Sequence, residues 1–268
     1  MRAADFDFIL SRLRAKLNGW VANSLSMAGR VTLGKSVLAA IPAFFMQTIK
    51  FSASVCVEID KIICGFIWGS SASARKIYLV NWSAIFQPRG HGGLGIPRSK
   101  ERNLAFMHKL AFSLVSTPDA MWVTVLRQKY HMLSTCPHSI SQPNCSPLWC
   151  ALSNMWYIVR ENIFWLVGNG NNVHLWNDTW VPTLGPLHPW ASLNVSNIDN
   201  LRFVDLLLDD GQWNVCCLLN LMPHSAVPHI MGVMPPSFGG SRDTVAWKLT
   251  PTGSFSVASA YECMVDSA

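Results

Sequence analysis

The chain has 268 residues, half of them hydrophobic and only 13% charged, which excludes a disordered polypeptide and suffices for a core in one or two domains. The net charge of +6 hides a division: residues 1–130 hold 17 Lys and Arg against 6 Asp and Glu, and residues 131–268 hold 4 against 9, so a front half of +11 joins a back half of −5. That asymmetry suggests a polyanion partner for the front half, with a solvated charge dipole as the plainer alternative.

In chain order, Phe6, Ile9, Leu10, Leu13, Leu17, Trp20 and Val21 recur at helical spacing, with Arg12 and Lys16 on one outer flank. Ser24 or Ser26 is placed to cap a second helix with the stripe Met27, Val31, Leu38 and Ile41. Gly29 and Gly34 weaken that helix, and Pro42 is expected to end or kink it. Arg30 and Lys35 fall roughly 140° apart at about 100° per residue, so they do not form one basic edge. A third helix is predicted over 51–68, then a flexible loop, the basic pair Arg75 and Lys76, and strand character over 77–82. The stretch 88–95 holds Arg89, His91 and glycines; it reads as a tight turn feeding a helix, because it lacks the Lys-Ser/Thr of a P-loop. Helices follow over 100–115 and 122–130.

Residues 131–147 are rich in Ser, Thr, Pro, Asn, His and Cys and read as a linker, placed where the charge changes sign. Beyond it, 148–160 reads as a helix. The runs 164–167 and 173–176 flank Gly168-Asn169-Gly170-Asn171-Asn172 and suggest a β-hairpin. A second hairpin is suggested by 245–249 and 254–257 around Thr252-Gly253, and 223–236 reads as irregular. The fold class is therefore α+β: a mainly helical N-terminal half and a smaller C-terminal part with short β-hairpins.

Chemistry-bearing clusters are weak. Cys136, His138, Cys145 and Cys150, and separately Cys216, Cys217, His224 and His229, miss the paired spacing of structural zinc sites, so no metal and no cofactor is expected. Asp209-Asp210 is the sole Asp-Asp pair, but Gly211 follows and a solvated turn fits better than a two-metal centre. Asp178, between Trp176 and Trp180, suits a structural bond to a backbone or indole N–H. The twelve tryptophans read first as packing. No catalytic triad and no small-molecule substrate is evident. Met1 leads into a charged stretch rather than a signal peptide, so the expected location is intracellular, nucleus or cytoplasm, with the thiols reduced. The best apolar run, 37–49, is interrupted by Pro42, Gln47 and Thr48 and falls short of the ~20 residues of a membrane span.

Several strings nevertheless occur in a telling order. They include Ala28-Gly29-Arg30, Leu33, Lys35-Ser36-Val37-Leu38 and Ile41-Pro42, then Phe66-Ile67-Trp68-Gly69 and Trp82. Gly92-Gly93-Leu94-Gly95-Ile96, Asn103, Ala105 and Lys109 come next, followed by Val167-Gly168-Asn169-Gly170 and Trp176-x-Asp178-x-Trp180. Phe255-Ser256-Val257-x-Ser259-Ala260-Tyr261 closes the series. In this order the chain resembles the region downstream of the polymerase core in plant LINE-type (non-LTR) retrotransposon reverse transcriptases.

The resemblance implies a basic, thumb-like helical region over 1–130, the linker 131–147, and a Trp-rich acidic α+β region over 148–268 that stops at the entrance to a zinc-binding domain. It implies no polymerase active site, since the aromatic-Ala-Asp-Asp string of that family is absent from this sequence. The expected partner is RNA or DNA, with Arg30, Lys35, Arg75, Lys76, Arg89 and Lys109 as candidate phosphate contacts. A non-binding remnant stands as the alternative, as does an accessory part of an RNA-directed DNA polymerase whose catalytic domain is encoded elsewhere.

Overall fold

The computed structural model describes residues 3–18, 25–69, 81–87, 89–192, 201–237 and 239–266. After a 3-10 turn at Ala3–Phe6 come α1 (Asp7–Asn18), α2 (Met27–Leu33), α3 (Ala40–Met46), α4 (Ala53–Trp68), α5 (Trp82–Phe86), α6 (Ser99–Ser116), α7 (Met121–Lys129) and α8 (Pro147–Glu161). Then follow β1 (Ile163–Leu166), α9 (Val215–Leu221), α10 (Val227–Met231), β2 (Thr244–Trp247) and α11 (Val257–Asp266). This is a helix-rich α+β chain with one two-stranded antiparallel sheet among the described residues. It divides into two compact units that interleave in sequence: Met1–Ala111, Ser141–Met155 and Ser256–Ala268 form the first, and Phe112–Ile140 with Trp156–Phe255 the second.

In the first unit, the helical periodicity of α1 and α4 buries Ile9, Leu13, Ile59, Ile63 and Ile67 with Leu38 and Met46 in one core. Each such side chain contributes about 1.5–3 kcal/mol of transfer free energy. Ser26 caps α2 by accepting the Gly29 N–H at 3.2 Å. The helix then widens into a π segment, Gly34–Leu38, pressed on α4, where a Cβ on Gly34 would meet Ile67 at 3.4 Å. Pro42 does not end the helix. The break falls at Ala39, so Pro42 lies in the first turn of α3, where a missing N–H leaves no bond unmade. Gly69 closes α4 in the left-handed region, at φ 67°.

Buried polar side chains fasten α6 to this core. Asn103 accepts the Phe51 N–H at 2.8 Å and donates to the carbonyls of Met46 (3.1 Å) and Ile49 (2.8 Å). It thereby satisfies the backbone of the α3–α4 connection, which helix or sheet would otherwise satisfy. Arg102 donates to the Ala39 carbonyl at 2.9 Å, and Asp60 accepts both the N–H and the hydroxyl of Ser99 at the start of α6. At α11, Ser256 accepts the Ser259 N–H, and the Tyr261 hydroxyl accepts the Arg98 N–H at 3.1 Å.

The second unit departs from the expected hairpins. The strand-like runs at 163–166 and 244–247 both form, but they pair with each other, Ile163 opposite Trp247 and Leu166 opposite Thr244. The reason is Asp243. Its carboxylate accepts the N–H groups of Gly168 (2.7 Å), Gly170 (2.9 Å) and Asn172 (2.9 Å), so the glycine-asparagine loop wraps around a side chain instead of turning into a partner strand. Residues 173–176 consequently leave β1 and enter a turn, in which Asp178 accepts the His174 N–H at 2.8 Å. Residues 254–257 run into α11 rather than into a strand, and part of the stretch read as irregular forms α10. Residues 77–80 lie outside the described ones, and Trp82 opens α5 instead of ending a strand.

The segment 131–140 carries no helix or strand yet is pinned. The Arg127 guanidinium donates to the carbonyls of Leu114 (3.0 Å), Ser134 (2.8 Å) and Thr135 (3.3 Å), and the Trp156 indole to that of Pro137 (2.8 Å). Tryptophans also build the core of this unit. Trp180 stacks on Trp213 with ring centroids 5.7 Å apart, and their indole N–H groups reach the carbonyls of Leu175 and Val233.

Asp243→Ala strands three inward-facing amides, and we expect it to cost about 3 kcal/mol or more in a chemical melt. Gly168→Ala drives a Cβ into the Ser241 carbonyl and should cost about 1–3 kcal/mol. Asp209→Ala, on an exposed turn, should stay within about 0.5 kcal/mol. Equal melting of all three proteins would show that the Asp243 cradle does not hold the sheet together.

Candidate nucleic-acid interface

The positive charge segregates by unit. The first unit holds 15 Lys and Arg against 7 Asp and Glu, a balance of +8; the second holds 6 against 8, a balance of −2. Arg12, Lys16, Lys61, Lys100 and Lys109 of the first unit are exposed on helical surfaces. Arg14 is drawn into a surface pair with Glu58 at 3.1 Å, and Lys61 approaches the same carboxylate at 4.0 Å. Exposed pairs of this kind contribute under about 1 kcal/mol and yield readily to a competing phosphate.

The six candidate contacts have different fates. Arg30 stands on α2, half-buried, and its Nε and Nη1 are sealed from solvent without a hydrogen-bond partner among the described residues. Unpaired guanidinium nitrogens out of water are costly, so an anion reaching them would gain more than at a solvated lysine. Lys35 is half-buried on the π segment that continues α2, and Lys109 is exposed on α6. Arg75 and Lys76 lie outside the described residues, as does the side chain of Arg89, whose backbone opens the 3-10 turn Arg89–His91. Arg30 and Lys35 thus share one continuous helical stretch, whereas Lys109 belongs to another element.

The glycine-rich stretch before α6 offers no phosphate cradle at two of its amides. Leu94 N–H is given to the Ile85 carbonyl at 3.0 Å and Gly95 N–H to that of Gln87 at 2.8 Å. Gly93 packs so closely on the Gln87 carbonyl that no Cβ fits, and Gly92 and Gly95 hold positive φ. The turn is structural: it returns the chain from α5 to the start of α6.

Sequence reasoning missed the buried polar cluster at the start of α6. Burial pushes the Asp60 carboxyl up to about 6, against the bonds from Ser99 that favour its charged form; Glu101 adds to the rise and Arg98 opposes it. Burial likewise lowers Arg102 and, in the second unit, Arg127. These two guanidiniums hold backbone carbonyls, so their role is structural. The signal in the sequence was an Asp among the apolar residues of α4, beside Glu58 and Lys61. Among the described residues, no group of three or more His, Cys, Asp and Glu is placed to hold a metal, and Cys136 is a buried thiol raised to about 12, first by desolvation. No described helix is long and apolar enough to cross a membrane.

Comparison with known proteins places this geometry in context. The chain is 30% identical over 262 residues to the Arabidopsis thaliana protein named "Putative ribonuclease H protein At1g65750", a match covering 97% of this chain but 42% of that protein. It is 26% identical over 157 residues to an Arabidopsis thaliana protein named "Uncharacterized mitochondrial protein AtMg00310", covering 56% of this chain and 98% of the relative. The chain therefore spans less than half the length of the first relative and contains the counterpart of nearly all of the second. No family model matches the chain, and no solved structure matches it.

The Asp60 carboxyl has its own pH signature. Its folded pKa lies above the ordinary value of 3.8, so its contribution to stability is fully present below about pH 4 and is lost as pH rises through about 6. Asp60→Asn keeps an acceptor for Ser99 and removes the titration. The variant should match the wild type near pH 4 and melt higher at pH 7.5; a difference that does not change with pH would refute the assignment.

Proposed function

We propose that the chain is a retrotransposon-derived, reverse-transcriptase-like segment of the LINE type, without the polymerase active site, that holds RNA or DNA through the cationic first unit. The observation that carries the reading is the partition of charge, +8 on one compact unit and −2 on the other. Net charge of one sign on one body is the electrostatic footprint of a polyanion partner. The ordered motifs support the ancestry. So does the similarity, along 97% of this chain, to a plant protein whose name assigns it to ribonuclease H, an activity that concerns nucleic acid. Arg30, Lys35 and Lys109, with Arg75, Lys76 and Arg89, are the proposed phosphate contacts. In this reading they grip the backbone without reading sequence.

A specific observation favours a second reading, a remnant with no affinity for nucleic acid. Phe44 is 70% exposed and Phe8 51%, and both rings pack edge-on against Phe45. An aromatic patch of this kind is the mark of a surface that another polypeptide once covered.

Gel-shift titrations of the full chain with single-stranded RNA and DNA decide between them. If about four phosphates are neutralised, raising salt from 50 to 200 mM should weaken single-strand binding about 50-fold, since log K falls by about 0.7 per contact per decade of salt. Lys109→Glu, on an exposed helical position, should lower both affinity and slope, with the melt of the variant recorded in parallel. Absence of binding at 50 mM salt would leave the remnant reading standing alone.

A further inference from the structure

The second unit contains a cavity of about 370 Å³, at the small end of the range for ligand sites, lined by side chains that the reading above does not use. Two of them are almost fully buried and hold unspent hydrogen-bonding capacity. Asp178 is 4% exposed and its Oδ2 accepts the His174 N–H, while no described residue engages its Oδ1. Trp165 is 3% exposed, and its indole N–H has no partner among the described residues. The indoles of Trp156, Trp180, Trp190 and Trp213 in the same unit each donate to a carbonyl, and that of Trp176 is sealed without a partner among the described residues. Arg160 and Lys248 line the same cavity. Burial raises the Asp178 carboxyl above its ordinary range, the His174 N–H and the nearby Arg160 oppose that rise, and Arg160 and Asp178 make no ion pair among the described residues. Lys248 gives one N–H to the Glu161 carbonyl at 2.7 Å and keeps two. Tyr157, also on the cavity wall, leaves 61% of its surface in solvent.

A fixed acceptor, a fixed donor, two cations and an open aromatic ring form a complementary set. We propose that this cavity binds a guanine base, delivered either as a free nucleotide or as an unstacked residue of a single strand. Guanine presents N1–H and the N2 amino group side by side to the Asp178 carboxyl, with O6 beside them for the Trp165 N–H or Arg160. Adenine offers its amino group between two ring acceptors, and uracil its N3–H between two carbonyls, so each sets lone pairs against Asp178. Tyr157 supplies a stacking face that is indifferent to the base, and Lys248 meets the phosphate. The inference concerns the second unit and does not depend on the charge of the first.

Isothermal titration of the full chain with the 5′-monophosphates of guanosine, inosine, adenosine and uridine tests it. Guanosine monophosphate should bind at least about tenfold tighter than the inosine analogue, which lacks only the 2-amino group, and than the other two. Asp178→Asn keeps an oxygen for the His174 N–H and should abolish the preference for guanine. Tyr157→Ala, at an exposed position, should weaken every nucleotide while leaving the guanine-to-inosine ratio intact. If Asp178→Asn does not fold, the wild-type ratio and Tyr157→Ala carry the test. Equal affinities, or no heat with any nucleotide at millimolar concentration, overturn the proposal. Single strands with and without one guanine then separate the two sources. Discrimination among strands assigns the site to nucleic acid, and discrimination among mononucleotides alone assigns it to a free nucleotide. Salt-sensitive strand binding without a guanine preference overturns this inference and leaves the proposed function intact; a guanine preference without strand affinity does the reverse.

Discussion

The sheet of this protein depends on one carboxylate. Asp243 gathers three backbone N–H groups of the loop 168–172 and, in doing so, sets β2 beside β1 across some eighty residues of sequence. Two strands of four residues have little stability by themselves. The charge-assisted bonds and the close seat of Gly168 supply what the strands lack. The register of β1 also sets the position of Trp165, so the small cavity of this unit inherits its geometry from the same interaction.

The first unit solves a different problem. The connections between its helices leave backbone groups that helices would otherwise satisfy. Asn103, Arg102 and Asp60 answer those groups with side chains, at the cost of holding polar atoms out of water. Arg102 is thereby used inside the fold, whereas the exposed lysines and arginines of this unit keep their charges at the surface. Count of charge and availability of charge are separate quantities, and only the second bears on affinity.

Helical periodicity made most of the first unit legible. Phe6 to Leu13, Val55 to Phe66 and the run beginning at Ser99 announce their buried faces because each turn repeats the pattern locally. Pro42 misled because sequence shows the missing N–H but not where the preceding helix breaks. The hairpins misled for a related reason: glycine and asparagine report tolerance for tight turns, not what the turn encloses, and Asp243 lies too far along the chain to enter a local reading. For the proposed phosphate contacts, sequence offers a residue type and a region. It gave no sign that two nitrogens of Arg30 are sealed, or that the titrating carboxyl at α6 comes from α4.

The interleaving of the two units has a bearing on how this polypeptide can be handled and how it could have evolved. Each unit is assembled from separated stretches, with α11 returning to the unit that contains α1. A single cleavage in the 131–147 stretch would therefore yield two incomplete pieces, neither holding all of its own core. The similarity to the longer plant relative runs along both units alike, through 97% of this chain.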